Sequence, residues 1–282
     1  MKKIAYIILS VLFFACACSK QSVRNAPAGE ELTTWTFDAG FSAKAVIADG
    51  GAFSWSKGDE IKLWDSRSSG YVVFTDRVGK GVFTASAPGN SVFVSAVYPA
   101  SVAATTASVS LPAGYTPEAA AAGKTFPMWA TVSEETNALS FCHLGAILRF
   151  TAKSVIPGMT KIKISSADGS LSGDFPVAGS PLQIALQPGS GAVTIDLGTV
   201  SENTDFLVSI PVPVGNYNYK IEVGNDREPN VYTAYTTSAQ PFERKKIYKL
   251  GELNFYRGNV LLESSLEGED FTVERDDPYA WQ

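Results

Sequence analysis

His143 is the only histidine in the chain, and Cys16, Cys18 and Cys142 are its only cysteines. These few residues bound the chemistry. A nucleophilic triad or dyad needs an imidazole within reach of its nucleophile, so it would have to use His143. That residue sits in Leu139–Phe150, LSFCHLGAILRF, the longest nearly unbroken apolar run beyond the N-terminus. An imidazole there reads as a satisfied core histidine rather than a base. Zinc centres are built from His and Cys clusters, and the chain has neither enough histidines nor a Cys-x-x-Cys pair. No metal and no cofactor are expected. Gly189-Ser190-Gly191 lacks the downstream Gly-Lys-Ser/Thr of a phosphate loop, and Asp168-Gly169-Ser170 lacks the rest of an EF-hand loop. Both read as turns.

Two constellations remain. Asp49, Asp59, Glu60 and Asp65 surround a predicted hairpin and would suit glycoside hydrolysis only if held at a fixed separation. Acids at turn ends are ordinarily solvated, so no catalytic residue is assigned and the chain is expected not to be an enzyme. Trp64, Trp129, Tyr71 and Tyr115 would form a sugar-stacking platform if they faced outward. Trp64 alternates with the polar side, beside Glu60 and Lys62, so Trp64 and Tyr71 are the candidate ligand contacts. A surface glycan-binding protein is the alternative functional reading.

The elements that must position these residues begin after a leader. Lys2 and Lys3 precede Ile4–Cys18, which is apolar apart from Ser10. This is shorter than the roughly 20 residues that span a bilayer, so residues 1–17 read as an export signal. The run ends Phe14-Ala15-Cys16-Ala17-Cys18-Ser19, similar to a bacterial lipobox with Cys18 as the lipidated residue. Cys16 fits less well, and a plain secretory signal is the other reading. Two acyl chains, palmitate among them, would hold the chain stably on a membrane. Cys142 would then be the one other cysteine, a small buried hydrophobe. Net charge is −5, which argues against a general nucleic-acid surface.

Residues 18–32 read as a tether. From Thr33 onward the pattern is of short alternating strands with Gly and Pro turns, which reads as all-β, a sandwich or barrel. Phe53–Trp64 reads as a hairpin about Lys57-Gly58-Asp59, with Phe53, Trp55, Ile61 and Leu63 inward and Gly58 at positive φ. Thr116 reads as the N-cap of one small helix beginning at Pro117. Leu139–Phe150 reads as a central strand in which Gly145 marks a bulge or a close backbone approach. The pattern restarts near Pro157-Gly158, dividing the chain into a β-sandwich over 33–153 and another over 154–253. No helix is long enough for a βαβ crossover. The tail, 254–282, is acidic from Glu263 onward: Glu263, Glu267, Glu269, Asp270, Glu274, Asp276 and Asp277 stand against Arg275. Val260-Leu261-Leu262 and Phe271-Thr272-Val273 are strand-like islands within it.

Several of these stretches resemble one known family in order. Ala52–Ile61 (AFSWSKGDEI) resembles the W..GD.I hairpin of the fimbrillin-like lipoproteins of Bacteroidota. Phe93–Pro99 (FVSAVYP) resembles their strand ending in Tyr-Pro, and Leu139–Phe150 their L.F.H..A.L.F strand. Leu171–Phe175 and Ile247–Leu250 are also similar. The resemblance covers roughly residues 33–253. It implies two tandem transthyretin-like β-sandwiches after a lipoprotein signal peptide, outer-membrane lipidation at Cys18, and a place in a surface pilus or fimbrium, or in adhesion to a host. The implied partners are other pilus subunits or further copies of the chain. In such pili an arginine-specific protease removes an N-terminal strand, and a neighbour's C-terminal strand fills the groove, which is strand addition. Arg24 is then the candidate cleavage site, and Phe271 and Val273 the candidate donor-strand residues. Arg24 lies so soon after Cys18 that a cut there frees the lipid without removing a strand, which fits an accessory, anchor or tip member better than a shaft subunit.

Overall fold

Alternation of apolar and polar residues decides the architecture strand by strand. In the computed structural model the described residues are 31–41, 54–122, 125–133, 136–254, 258–262 and 269–270, with the backbone alone for Phe41 and for the last two segments. Cys18, Arg24, Asp49, Phe53, Phe271 and Val273 lie outside them.

The first strands are β1 (Leu32–Phe41), β2 (Glu60–Asp65), β3 (Gly70–Asp76), β4 (Val82–Pro88) and β5 (Phe93–Tyr98). After a 3-10 turn come β6 (Ala103–Thr105), β7 (Ser108–Leu111), β8 (Gly114–Tyr115), α1 (Pro117–Ala122), β9 (Met128–Thr131) and β10 (Ala138–His143). Seven of these close on themselves in the order β1-β10-β9-β5-β2-β3-β4. The closing strand is β1. It pairs antiparallel with β4 from Leu32↔Pro88 to Asp38↔Val82, and parallel with β10 from Asp38↔Ala138 to Phe41↔Phe141. Closure removes the exposed edges that an open sheet would leave. Phe37, Ile61, Leu63, Phe74, Phe83 and Phe93 fill its interior.

The later strands are β11 (Ala146–Val155), β12 (Lys161–Ser165), β13 (Gly173–Ala178), β14 (Gln183–Ile184), β15 (Val193–Asp196), β16 (Thr204–Val212), β17 (Gly215–Tyr217), β18 (Lys220–Gly224), β19 (Tyr232–Thr236), β20 (Gln240–Phe242), β21 (Lys246–Asn254), β22 (Gly258–Leu262) and β23 (Glu269–Asp270). One sheet runs β16-β11-β21-β23 and another β22-β19-β18-β12-β15-β8. Leu148, Phe150 and Ile210 of the first share a buried core with Ile162, Ile195 and Ile221 of the second. This is a sandwich, and the all-β reading holds. A smaller sheet, β14-β13-β7-β6, is built by pairing β7 with β13. It shares a third buried cluster with Val97 and Trp129 of the barrel wall.

Two expectations need correcting. Leu139–Phe150 is not one strand. It breaks at Leu144-Gly145 into β10, in the barrel, and β11, in the sandwich. A Cβ on Gly145 would lie 2.6 Å from the Val212 carbonyl oxygen, so the backbones approach too closely there for a side chain. The Phe53–Trp64 hairpin is also different. Gly58 does turn, at φ 90°, but Ser54–Ser56 form no strand, and β2 pairs instead with β3 and β5. The Ser56 N–H donates to the Asp59 carboxylate at 2.8 Å, which satisfies that backbone without a ladder. The small helix forms as expected, with the Ala119 N–H donating to the Thr116 hydroxyl at 3.3 Å.

Candidate assembly and binding surfaces

His143 ends β10 with 3% of its surface exposed. Burial first, and then the charges of Lys245 and Arg244, push its pKa down to about 3. At neutral pH the imidazole is therefore uncharged and enclosed. The Arg244 guanidinium donates to the His143 carbonyl oxygen at 3.1 Å, so the cation serves the backbone. The sign of the pH effect follows. An unfolded chain protonates His143 near pH 6.5, and the folded chain does so only near 3. The contribution is complete above about pH 6.5 and is lost as pH falls towards 3. Lowering pH from 6.5 to 4.5 should cost the parent about 2 kcal/mol more than a His143→Leu variant, read from urea midpoints at the two pH values. Equal losses in the two proteins would contradict this.

The carboxylates near the first strands organise turns. Asp65 lies buried inside the barrel wall, and its Oδ1 accepts N–H bonds from Val92 at 2.9 Å and Arg67 at 3.1 Å. Burial would raise its pKa, but these donors hold it below the ordinary carboxylate value. Asp76, which pattern reading missed, accepts from the backbone of Val78, Gly79 and Gly81. Burial opposes its ionisation too, and the same donors prevail. A short acid two residues before a bend is the sequence signal that would have found both. Among the described residues no three of His, Cys, Asp and Glu converge to hold a metal ion.

Of the four expected platform aromatics, two are core residues. Trp129 is 7% exposed and Tyr115 is 6% exposed. Trp129 lies under the β6–β7 hairpin, and Tyr115 on β8 faces the sandwich core, two coverings that single-strand periodicity does not reveal. Trp64 and Tyr71 are brought together on the barrel's outer side. They face each other across β2 and β3, edge to face, with centroids 5.1 Å apart. Trp64 is half-buried rather than fully outward. Cys142 is half-buried as well, not enclosed.

The tail supplies two strands to the sandwich. β22 runs parallel to β19 from Tyr232↔Gly258 to Thr236↔Leu262. β23 pairs antiparallel with the start of β21, placing Asp270 opposite Lys246. One segment thus reaches an edge of each sheet. At the opposite end of the four-stranded sheet from β23, α1 packs against β16, shielding an edge in the way proteins commonly do.

No family model matches the chain, and no curated protein matches it. Among solved structures, a proposed cell adhesion protein of Bacteroides ovatus aligns over 87% of this chain and 100% of its own, with TM-score 0.50 and 17% identity. The chain shares that adhesion protein's fold. A proposed cell adhesion protein of Bacteroides uniformis aligns over 78% of this chain and 93% of its own, at TM-score 0.44 and 14% identity. A C-terminally truncated tip fimbrial protein of Porphyromonas gingivalis aligns over 78% and 94%, at TM-score 0.32 and 12% identity. At 17% identity the likeness to the Bacteroides ovatus protein is one of fold alone.

Proposed function

We propose that this chain is a non-enzymatic surface protein of the fimbrillin type, an accessory or tip adhesin that joins its neighbours by β-strand addition. In this reading it is held on the outer membrane through acyl chains on Cys18. The observation that carries it is β22. Five residues of the tail are added to the edge of the six-stranded sheet by backbone pairing with β19. Only residues 255–257 separate β22 from β21, which belongs to the opposite sheet. Backbone pairing is nearly indifferent to which copy supplies the strand. The same segment of a second copy therefore presents the same hydrogen-bond pattern to the same edge.

The N-terminal strand is a poorer acceptor site. Arg24 precedes β1, so a cut there would release the lipidated end and leave the barrel closed by β1. Opening a groove between β4 and β10 would need a cut beyond Phe41. Exchange through the tail needs none, with Phe271 and Val273 available to extend the exchanged segment.

A chain ending at Asn254 tests the assignment. The full chain should form heat-labile oligomers as concentration rises, whereas the shortened chain should remain monomeric with its barrel core intact. Oligomers of the same size from both chains would remove the tail from the mechanism.

A further inference from the structure

The outer surface of β2 and β3 carries a feature that assembly through the tail leaves unused. Trp64 faces Tyr71 across the two strands, and Lys62 faces Val73 in the next row. The inward partners of the same strands, Ile61, Leu63 and Phe74, fill the barrel, so these four side chains are displayed on its wall. Beside them the wall is roofed by the β6–β7 hairpin, under which Val97, Val102 and Val109 are buried. The four residues therefore lie at the foot of a step. The Tyr71 hydroxyl donates to the carbonyl oxygen of Thr105 at the lip of that hairpin, which ties the ring to the step. The hydroxyls of Thr105 and Ser108 meet at 2.6 Å on the same lip.

Three properties of the ledge select a ligand class. Its floor is aromatic and held in place, so little rotamer freedom is lost when a flat apolar surface is laid on it. Val73 adds a 43%-exposed aliphatic surface next to it. The Lys62 ammonium lies 5.9 Å from the Tyr71 ring centroid, and among the described residues it makes no ion pair. An ammonium near a π face and without a carboxylate partner is placed to receive an anion. Apolar C–H faces, hydroxyls and a carboxylate occur together in acidic sugars.

We propose that the Lys62–Trp64–Tyr71–Val73 ledge binds a carboxylate-bearing carbohydrate, with a sugar ring on Trp64 and Tyr71 and the carboxylate at Lys62. The site draws on the surface location in the preceding reading but not on strand exchange. It is far from the tail in sequence and is built on the barrel.

Retention of the full chain on immobilised polygalacturonate, with neutral galactan as the comparison, tests it. The parent should be retained on polygalacturonate and weakly or not at all on galactan. Trp64→Ala should weaken retention by about tenfold or more, equivalent to losing a good aromatic contact. Lys62→Gln, which leaves the aromatic pair in place, should weaken it roughly fivefold and abolish the preference for the acidic polymer. The chain ending at Asn254 should bind as the parent does, which separates this site from the assembly reading. Equal binding by the parent and both variants overturns the proposal. So does preference for galactan, or failure of the parent to bind polygalacturonate, alginate and hyaluronan alike.

Discussion

Replacing Phe37 with alanine is expected to destabilise the barrel by about 3–5 kcal/mol, the range for deleting an enclosed aromatic ring. Phe37 is 1% exposed. Its ring meets Phe74 and Phe93 edge-on at centroid distances of 5.4 and 5.7 Å, and it stacks on Trp35 at 6.5 Å. It is also the innermost side chain of β1, the strand that joins β4 to β10. Losing it leaves a cavity among rings that collapse poorly around a methyl group. It also loosens the one strand whose departure would expose two edges at once. The measurement is a urea titration, accompanied by binding of a hydrophobic dye to report an opened barrel. Thr36→Ala, one residue away on the exposed face, should stay within about 0.5 kcal/mol of the parent. A Phe37→Ala protein within 1 kcal/mol of the parent would mean that β1 is dispensable to the barrel, and the closure argument would fail.

That closure also bears on the proposed strand addition. A barrel closed through β1 offers no free strand edge, whereas the two sheets of the sandwich end in β22 and β23, both drawn from the acidic tail. The barrel strands and the tail strands of the sandwich therefore occupy different parts of the chain. Glu269 and Asp270 beside Ile247 and Lys246 put acidic residues near the basic turn Arg244-Lys245-Lys246. Interactions between surface charges are weakened by salt, so ionic strength is a natural variable in the oligomer measurement.

Much of this was legible in the residues. Strict alternation placed β2 and β12, and Ile61, Leu63, Ile162 and Ile164 fell inside as the pattern required. The Thr116-Pro117 start of α1 was equally local. What was not legible depended on partners distant in sequence. Gly173–Ala178 contains Gly, Asp and Pro, residues depleted in strands, yet it is a strand because Ser108–Leu111 pairs with it. Trp129 and Tyr115 have the composition of exposed aromatics, and only the layers packed over them bury them. For the candidate site, Trp64 and Tyr71 were visible as types and positions. The ledge that joins them to Lys62 required the β6–β7 hairpin, whose path no local pattern encodes. The Val260-Leu261-Leu262 island falls within β22, but its parallel pairing with β19 was not legible, since parallel pairing has no turn to announce it.

Gly145→Ala should be severely damaging, costing about 3 kcal/mol or preventing folding. The position is a crossing rather than a turn. The Leu144 N–H donates to the Pro127 carbonyl at 3.0 Å, and the Leu144 carbonyl accepts from Ile184 at 2.9 Å. The Gly145 carbonyl accepts from the Lys245 N–H at 3.0 Å. Three backbone bonds to three distant segments thus fix the point where β10 leaves the barrel and β11 enters the sandwich. A new Cβ would stand 2.6 Å from the Val212 carbonyl oxygen and 3.4 Å from Ile184 Cδ1. The first obstacle is backbone and cannot rotate away. Relief would require β16 to shift against β11 at the Ala146↔Val212 pair, the end of their shared ladder. Strain there should therefore reach both the barrel and the sandwich, lowering the unfolding midpoint of each. Gly114→Ala is the control, because an added Cβ at Gly114 meets nothing within 4 Å and should change stability by no more than about 0.5 kcal/mol. If Gly145→Ala unfolded with the parent's midpoint, the crossing would have slack, and the rigid joining of the two halves through residues 143–146 would have to be abandoned.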